Sequence, residues 1–112
     1  MAMQDMARVF SALSDPTRLG VVEKLMKHGE LPVAALVTDA GMSAPAVSRH
    51  LKVLRHAGVV KQRAEGTRRY YSVAPESMQS IADWTAFHRR FWEASLDRLD
   101  AALESEQGGA DE

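Results

Sequence analysis

Residues 43–58 read "SAPAVSRHLKVLRHAG", and this stretch decides the fold. Val47, Leu51 and Leu54 recur at helical spacing and lie within about 60° of one another around a helix axis. Pro45, Arg49, Lys52 and His56 fall on the opposite side. Ser43 can cap the helix, Pro45 in the first turn costs little because its amide would be unpaired there, and Gly58 closes the element. Such a helix either turns a solvated polar face outward from a core or uses that face to grip a partner.

The flanking sequence narrows the choice. Upstream, Pro32 opens a short helix through Val33, Leu36 and Val37, and Gly41 terminates it. Two helices joined by "AGMS" form a helix-turn-helix, because a tight glycine-containing turn sends the second helix across the first. Downstream, the period changes to that of strands. "VVKQRA" and "RRYYSV" flank the turn residues "EGT" and predict a hairpin with a basic tip.

Nearer the N-terminus, Met3, Met6, Ala7, Phe10 and Leu13 predict a helix that ends near Ser14, ahead of Pro16. Asp15 and Pro16 then start a second helix, the carboxylate capping free amides, with Leu19, Val22, Leu25 and Met26 toward the core and Gly29 at its end. Gly20 inside this helix costs about 1 kcal/mol relative to alanine, which predicts close packing there. From Pro75 to Leu103 the pattern is helical again. Ile81, Trp84, His88, Phe91, Ser95, Leu99 and Leu103 form one stripe, widened by Met78, Phe87, Trp92 and Leu96. The spacing fits one long helix or two with a bend near Asp83. So much aromatic surface on one face calls for a second chain. The expected organisation is one domain over residues 1–104 followed by a disordered tail, "SEQGGADE", over residues 105–112.

Charge is distributed unevenly. The 112 residues carry a net charge of -1. Residues 41–74, however, contain seven Lys/Arg and only one acid, Glu65, while residues 75–112 contain three Lys/Arg and nine Asp/Glu. The segment charges are therefore plus six (7 − 1) and minus six (3 − 9). A basic segment on a helix and its neighbouring hairpin suits a polyanion. The chain has no cysteine, so disulfides, thiolate metal sites and thiol redox chemistry are excluded. The four histidines are scattered over different elements, and neither a metal nor a cofactor is expected. No phosphate-cradling glycine loop or Ser/His/Asp arrangement points to an enzyme. With no signal peptide and no apolar run of membrane-spanning length, a cytoplasmic location without membrane association is expected.

Helix, glycine turn, helix and basic hairpin, in that order, describe a winged helix-turn-helix: a mainly α fold with a small β-hairpin. In this geometry residues 43–56 enter the major groove of double-stranded DNA and the hairpin reaches along the backbone or into the minor groove. Ser43 and Ser48 allow close approach, Ala46 can meet a thymine methyl, and Arg49 is long enough for bidentate contact with guanine. Lys52, Arg55, Lys61, Arg63, Arg68 and Arg69 are assigned to phosphates. The alternative from another class is a winged-helix adaptor whose basic surface binds an acidic protein partner.

"LSDPTRLGVVEKL", "GELPVAALVTDAGMSAPAVSRHLKVLRHAGVVKQRAEGTRRYYSV" and "RRFWEASLDRLDAAL" resemble the ArsR/SmtB family of bacterial repressors over about residues 5–104. The resemblance implies a homodimer on a palindromic operator, released by an effector, with the dimer built from the first and last helices. Met3, Met6, Phe10, Trp84, Phe87, His88, Phe91, Trp92, Leu96 and Leu99 are then the interface residues. It also places His50 close to DNA. Thr67 stands at a wing position where relatives often carry arginine, leaving that phosphate contact to Arg68 and Arg69. The family's thiolate pattern "ELCVCDLC" is replaced by "ELPVAALV", so Pro32, Ala34 and Val37 stand where cysteines would be. The second metal pattern of the family, counted from Asp83, falls on Thr85, Leu96 and Leu99, which is no ligand set. The resemblance is therefore to the metal-independent branch.

Overall fold

A computed structural model describes the backbone of residues 3–111 and the side chains of residues 5–106 other than Asp39. The order is α1 (Met3–Leu13), α2 (Pro16–His28), β1 (Leu31–Pro32), α3 (Val33–Ala40), α4 (Ala44–His56), β2 (Val60–Glu65), β3 (Arg68–Val73) and α5 (Pro75–Asp111). Residues 1–80 and residues 81–112 form two compact units, where the sequence leads one to expect a single domain over 1–104. The physical basis is burial: among the described residues every buried apolar side chain lies at or before Ala74.

The first unit is built around the stripe of α4. Val47, Leu51 and Leu54 are fully buried, joined by Val9 of α1, Leu25 of α2, Leu36 of α3 and Val59 ahead of β2. Each helix contributes the apolar positions that recur on one side, so four short amphipathic segments close one core. Two helix starts behave differently. Ser43 Oγ accepts from the Ala46 N–H at 3.3 Å, as a serine cap should. Asp15 precedes Pro16 as expected but makes no side-chain cap bond, and its Oδ2 is buried without a partner. The expected capping role of that carboxylate is therefore not realised.

Gly58 reverses the chain after α4. Its N–H donates to Arg55 O at 3.0 Å and the Val59 N–H to Leu54 O at 3.0 Å, the paired bonds of a Schellman motif, which needs the positive φ of 78° found there. The wing turns at Gly66–Thr67 with φ of 61° at Gly66. Glycine at the first of two central residues is the type II′ pattern that matches strand twist.

The sheet has three antiparallel strands in the order β1-β3-β2, one more than the hairpin predicted. Leu31 and Pro32 pair with Tyr71 and Tyr70. Two residues with a proline carry no strand signature, and proline is tolerated there because the strand lies at an edge. Gly20 also departs from expectation: a Cβ built there meets nothing within 4 Å. The second unit is the remainder of α5, which runs as one helix rather than two from Pro75 through Asp111. The tail expected to be disordered over residues 105–112 falls mostly on residues whose side chains lie outside the description. No described helix is long and apolar enough to cross a membrane.

Candidate nucleic-acid interface

The buried stripe of α4 fixes which residues its other face presents. With Val47, Leu51 and Leu54 inward, Ser43, Ser48, Arg49 and Lys52 are exposed and Ala46 is half-buried. Arg49 and Lys52 make no hydrogen bond or ion pair with other described residues, so both cations are free for an external anion.

The wing is tied to α4 by a polar relay. Arg55 Nη1 donates to Gln62 Oε1, and Gln62 Nε2 donates to the Tyr71 hydroxyl at 2.9 Å. Tyr71 is buried and faces Gln62 across the β2–β3 ladder, so the relay anchors the C-terminal end of α4 to the root of the wing. Arg55 is thus partly committed within the protein. It retains other N–H donors, since a guanidinium carries five. Gln62 was missed in the sequence because its role depends on cross-strand register rather than on charge or motif.

Arg63 has a different place from the one expected. Its Nη2 lies 2.6 Å and its Nε 3.1 Å from the two carboxylate oxygens of Glu30, its Nη1 lies 2.9 Å from Glu65 Oε2, and its guanidinium carbon sits 4.7 Å from the Tyr70 ring centroid. Tyr70 is its ladder partner, which explains the stacking. The hydrogen bond from Arg63 holds the Glu30 carboxyl below its ordinary value; desolvation opposes it, and the charges of Arg63 and then Lys61 reinforce it. Arg63 is held above its ordinary value chiefly by the bonds to Glu30 and Glu65. Its charge is matched by two acids, and it clamps the wing to the strand that follows Glu30. Glu30 lies 33 positions away in sequence, so no local pattern signals the pairing.

Of the remaining wing cations, Lys61 adds its charge at Glu30. Lys61, Thr67, Arg68 and Arg69 are exposed. Arg68 and Arg69 make no hydrogen bond or ion pair with other described residues, and with Thr67 they border a shallow groove beside Pro32, Val33 and Ala34 of the α3 start. His50, by contrast, is half-buried, and its Nδ1 faces Arg18 Nη1 at 3.4 Å. One edge of this ring is therefore used inside the protein.

The residues expected at a dimer interface divide between the two units. Met3 has a side chain outside the described residues. Met6 is buried in the core of the first unit, whereas Phe10 is 39% exposed. On the α5 segment Trp84, Phe87, Phe91, Trp92, Leu96, Leu99 and Leu103 are all exposed, Phe87 by 79%. His88 stacks on Trp84 with centroids 4.0 Å apart and meets Phe87 edge-on. Its Nδ1 lies 2.8 Å from the Trp84 carbonyl; since a carbonyl only accepts, that nitrogen carries the hydrogen.

A serine-capped basic helix after a glycine turn, with cations spare on the adjoining β-ribbon, has the form that major-groove readers share. By class, the protein is a winged helix-turn-helix DNA-binding transcriptional regulator. Residues 15–62 match the bacterial regulatory protein, arsR family. The HTH-type transcriptional regulator Rv2034 of Mycobacterium tuberculosis is 40% identical over 99 residues, which cover 88% of this chain and 89% of that one. The transcriptional repressor SdpR of Bacillus subtilis is 33% identical over 79 residues, 70% of this chain and 87% of its own. The homodimeric winged helix-turn-helix DNA-binding domain of Mb0332 from Mycobacterium bovis superimposes with a TM-score of 0.64 at 32% identity, covering 77% of this chain and 82% of that one. The chain belongs to the ArsR family.

Proposed function

We propose that the protein acts as a homodimeric repressor that binds a palindromic operator and is released by a signal other than a metal ion. The observation that carries this reading is the face of α4: Arg49 and Lys52 are exposed and, among the described residues, unpaired, opposite a stripe that is wholly buried. Arg49 reads a guanine edge; Ser43, Ala46 and Ser48 permit the close approach this needs. Lys52, Lys61, Arg68 and Arg69 hold phosphates, Thr67 lies at the tip of the wing, and Arg63 serves to brace the wing.

Dimerisation through the exposed α5 residues is supported by the size of the apolar face, since soluble monomers rarely leave such a contiguous patch uncovered, and by the homodimeric state of the Mb0332 domain. With two helices held by a two-fold axis, half-sites lie about one helical turn apart, roughly 34–36 Å. A non-metal signal is supported by the total absence of cysteine and by Pro32, Ala34, Val37, Thr85, Leu96 and Leu99 at the positions where relatives place ligands. A chelator then leaves operator affinity unchanged.

The test is a mobility-shift titration of the protein's own promoter against scrambled DNA of equal length. Preference for the promoter, reduced by Arg49→Ala by about 1–3 kcal/mol at one base position, supports the reading. Equal affinity for both DNAs refutes it.

A further inference from the structure

Arg18 lies on α2, and its guanidinium reaches three places. Nε donates to Ala12 O at 2.6 Å, Nη2 to Ser11 O at 3.4 Å, and Nη1 faces His50 Nδ1 at 3.4 Å. The first two contacts cap the carbonyl end of α1. The third ends on the recognition helix.

The chemistry of this third contact has one solution. Arginine remains charged and offers only donors. The nitrogen of His50 that faces it must therefore present a lone pair, and a neutral imidazole that accepts at Nδ1 carries its hydrogen at Nε2. The two nitrogens lie on different edges of the ring, so the Nε2–H points away from the guanidinium. No described residue accepts from it, and this atom is not among the buried polar atoms left without a partner, so it is open to solvent. The helical position agrees: residue 50 falls about 60° from Val47 around the axis, at the border between buried stripe and basic face, and the side chain is half-buried.

We propose that Arg18 is a positioning residue for DNA binding: it fixes His50 in the Nε2–H form, so that the recognition helix presents a neutral donor to a DNA phosphate oxygen. A border position of this kind addresses the backbone flanking the groove rather than the base edges, which Arg49, about 100° further round the helix, faces. The proposal rests on the DNA-binding reading above, but its first test does not involve DNA.

In the DNA-free protein at neutral pH, long-range proton–nitrogen NMR correlations of the imidazole distinguish the two neutral tautomers and the cation. The Nε2–H form is expected at His50. The Nδ1–H form or the cation overturns the proposal, and this readout requires no variant to fold. Arg18→Met is then expected to mix the tautomers and to lower affinity about tenfold, equally for promoter and scrambled DNA, as for loss of a hydrogen bond to a charged acceptor. His50→Ala, which removes the donor altogether, is expected to lower affinity about tenfold for both DNAs, by the same lost bond. In that background Arg18→Met is expected to cost nothing further. An equal cost in both backgrounds shows that Arg18 acts only through α1 and overturns the proposal, as does a loss confined to the promoter. The Nε2–H form in a protein that binds no DNA would instead overturn the regulatory reading.

Discussion

Two arginines on one hairpin have unequal expected effects on the salt dependence of DNA binding. Arg68 on β3 is exposed and, among the described residues, unpaired, whereas Arg63 on β2 is held by Glu30 and Glu65. Four phosphate-directed cations per chain (Lys52, Lys61, Arg68 and Arg69) give about eight contacts in a dimer, so log affinity falls against log salt with a slope of about −7. Between 50 and 200 mM salt this corresponds to a loss of roughly 20,000-fold. Arg68→Ala removes two contacts per dimer. The slope becomes about −5.4 and the loss over the same range about 1,800-fold. Arg63→Gln removes none, because that charge is already neutralised inside the protein, and its slope stays near −7. The assay is fluorescence anisotropy on one promoter duplex at five or more salt concentrations, with circular dichroism confirming that each variant is folded. If Arg63→Gln flattens the slope as much as Arg68→Ala does, the assignment of Arg63 to bracing is wrong.

Three further outcomes follow from the same geometry. Gly20→Ala should stabilise the protein by about 0.5–1 kcal/mol, since a Cβ there meets nothing within 4 Å; chemical denaturation measures the gain, and a loss would reveal a contact at that surface. The Glu30 carboxyl is held low by Arg63, so its contribution to folding is complete above the ordinary carboxylate range and is lost as pH falls through the lowered value. Melting curves of wild type and Glu30→Gln should accordingly differ at pH 7 and converge in acid, and a gap that widened in acid would contradict the pairing. Phe91→Glu places a charge in the exposed stripe of α5 and should shift the protein to monomer in analytical ultracentrifugation while residues 1–80 remain folded; an unchanged dimer would move the interface elsewhere.

Much of the fold was legible because each element of the first unit is amphipathic at its own period. The spacing of Val47, Leu51 and Leu54 identified the buried face of α4, and Ser43, Gly58 and Gly66 marked its ends and the turn of the wing. What escaped detection depends on partners distant in sequence. The strand Leu31–Pro32 exists because β3 has an edge to offer, and the fates of Arg63 and His50 are set by Glu30 and Arg18 on other elements. A count of positive charges treats Arg63 and Arg68 alike; only the fold distinguishes a matched charge from a spare one. Gly20 shows the converse, since the close packing that would account for a glycine in mid-helix is not there.

The most direct measurement of the central claim is amide chemical-shift mapping of the isotope-labelled protein during titration with its promoter duplex. The account predicts that perturbations concentrate on residues 43–56 and on the wing from Lys61 to Arg69. Perturbations centred on the acidic surface of α5, with α4 and the wing unmoved, would contradict it.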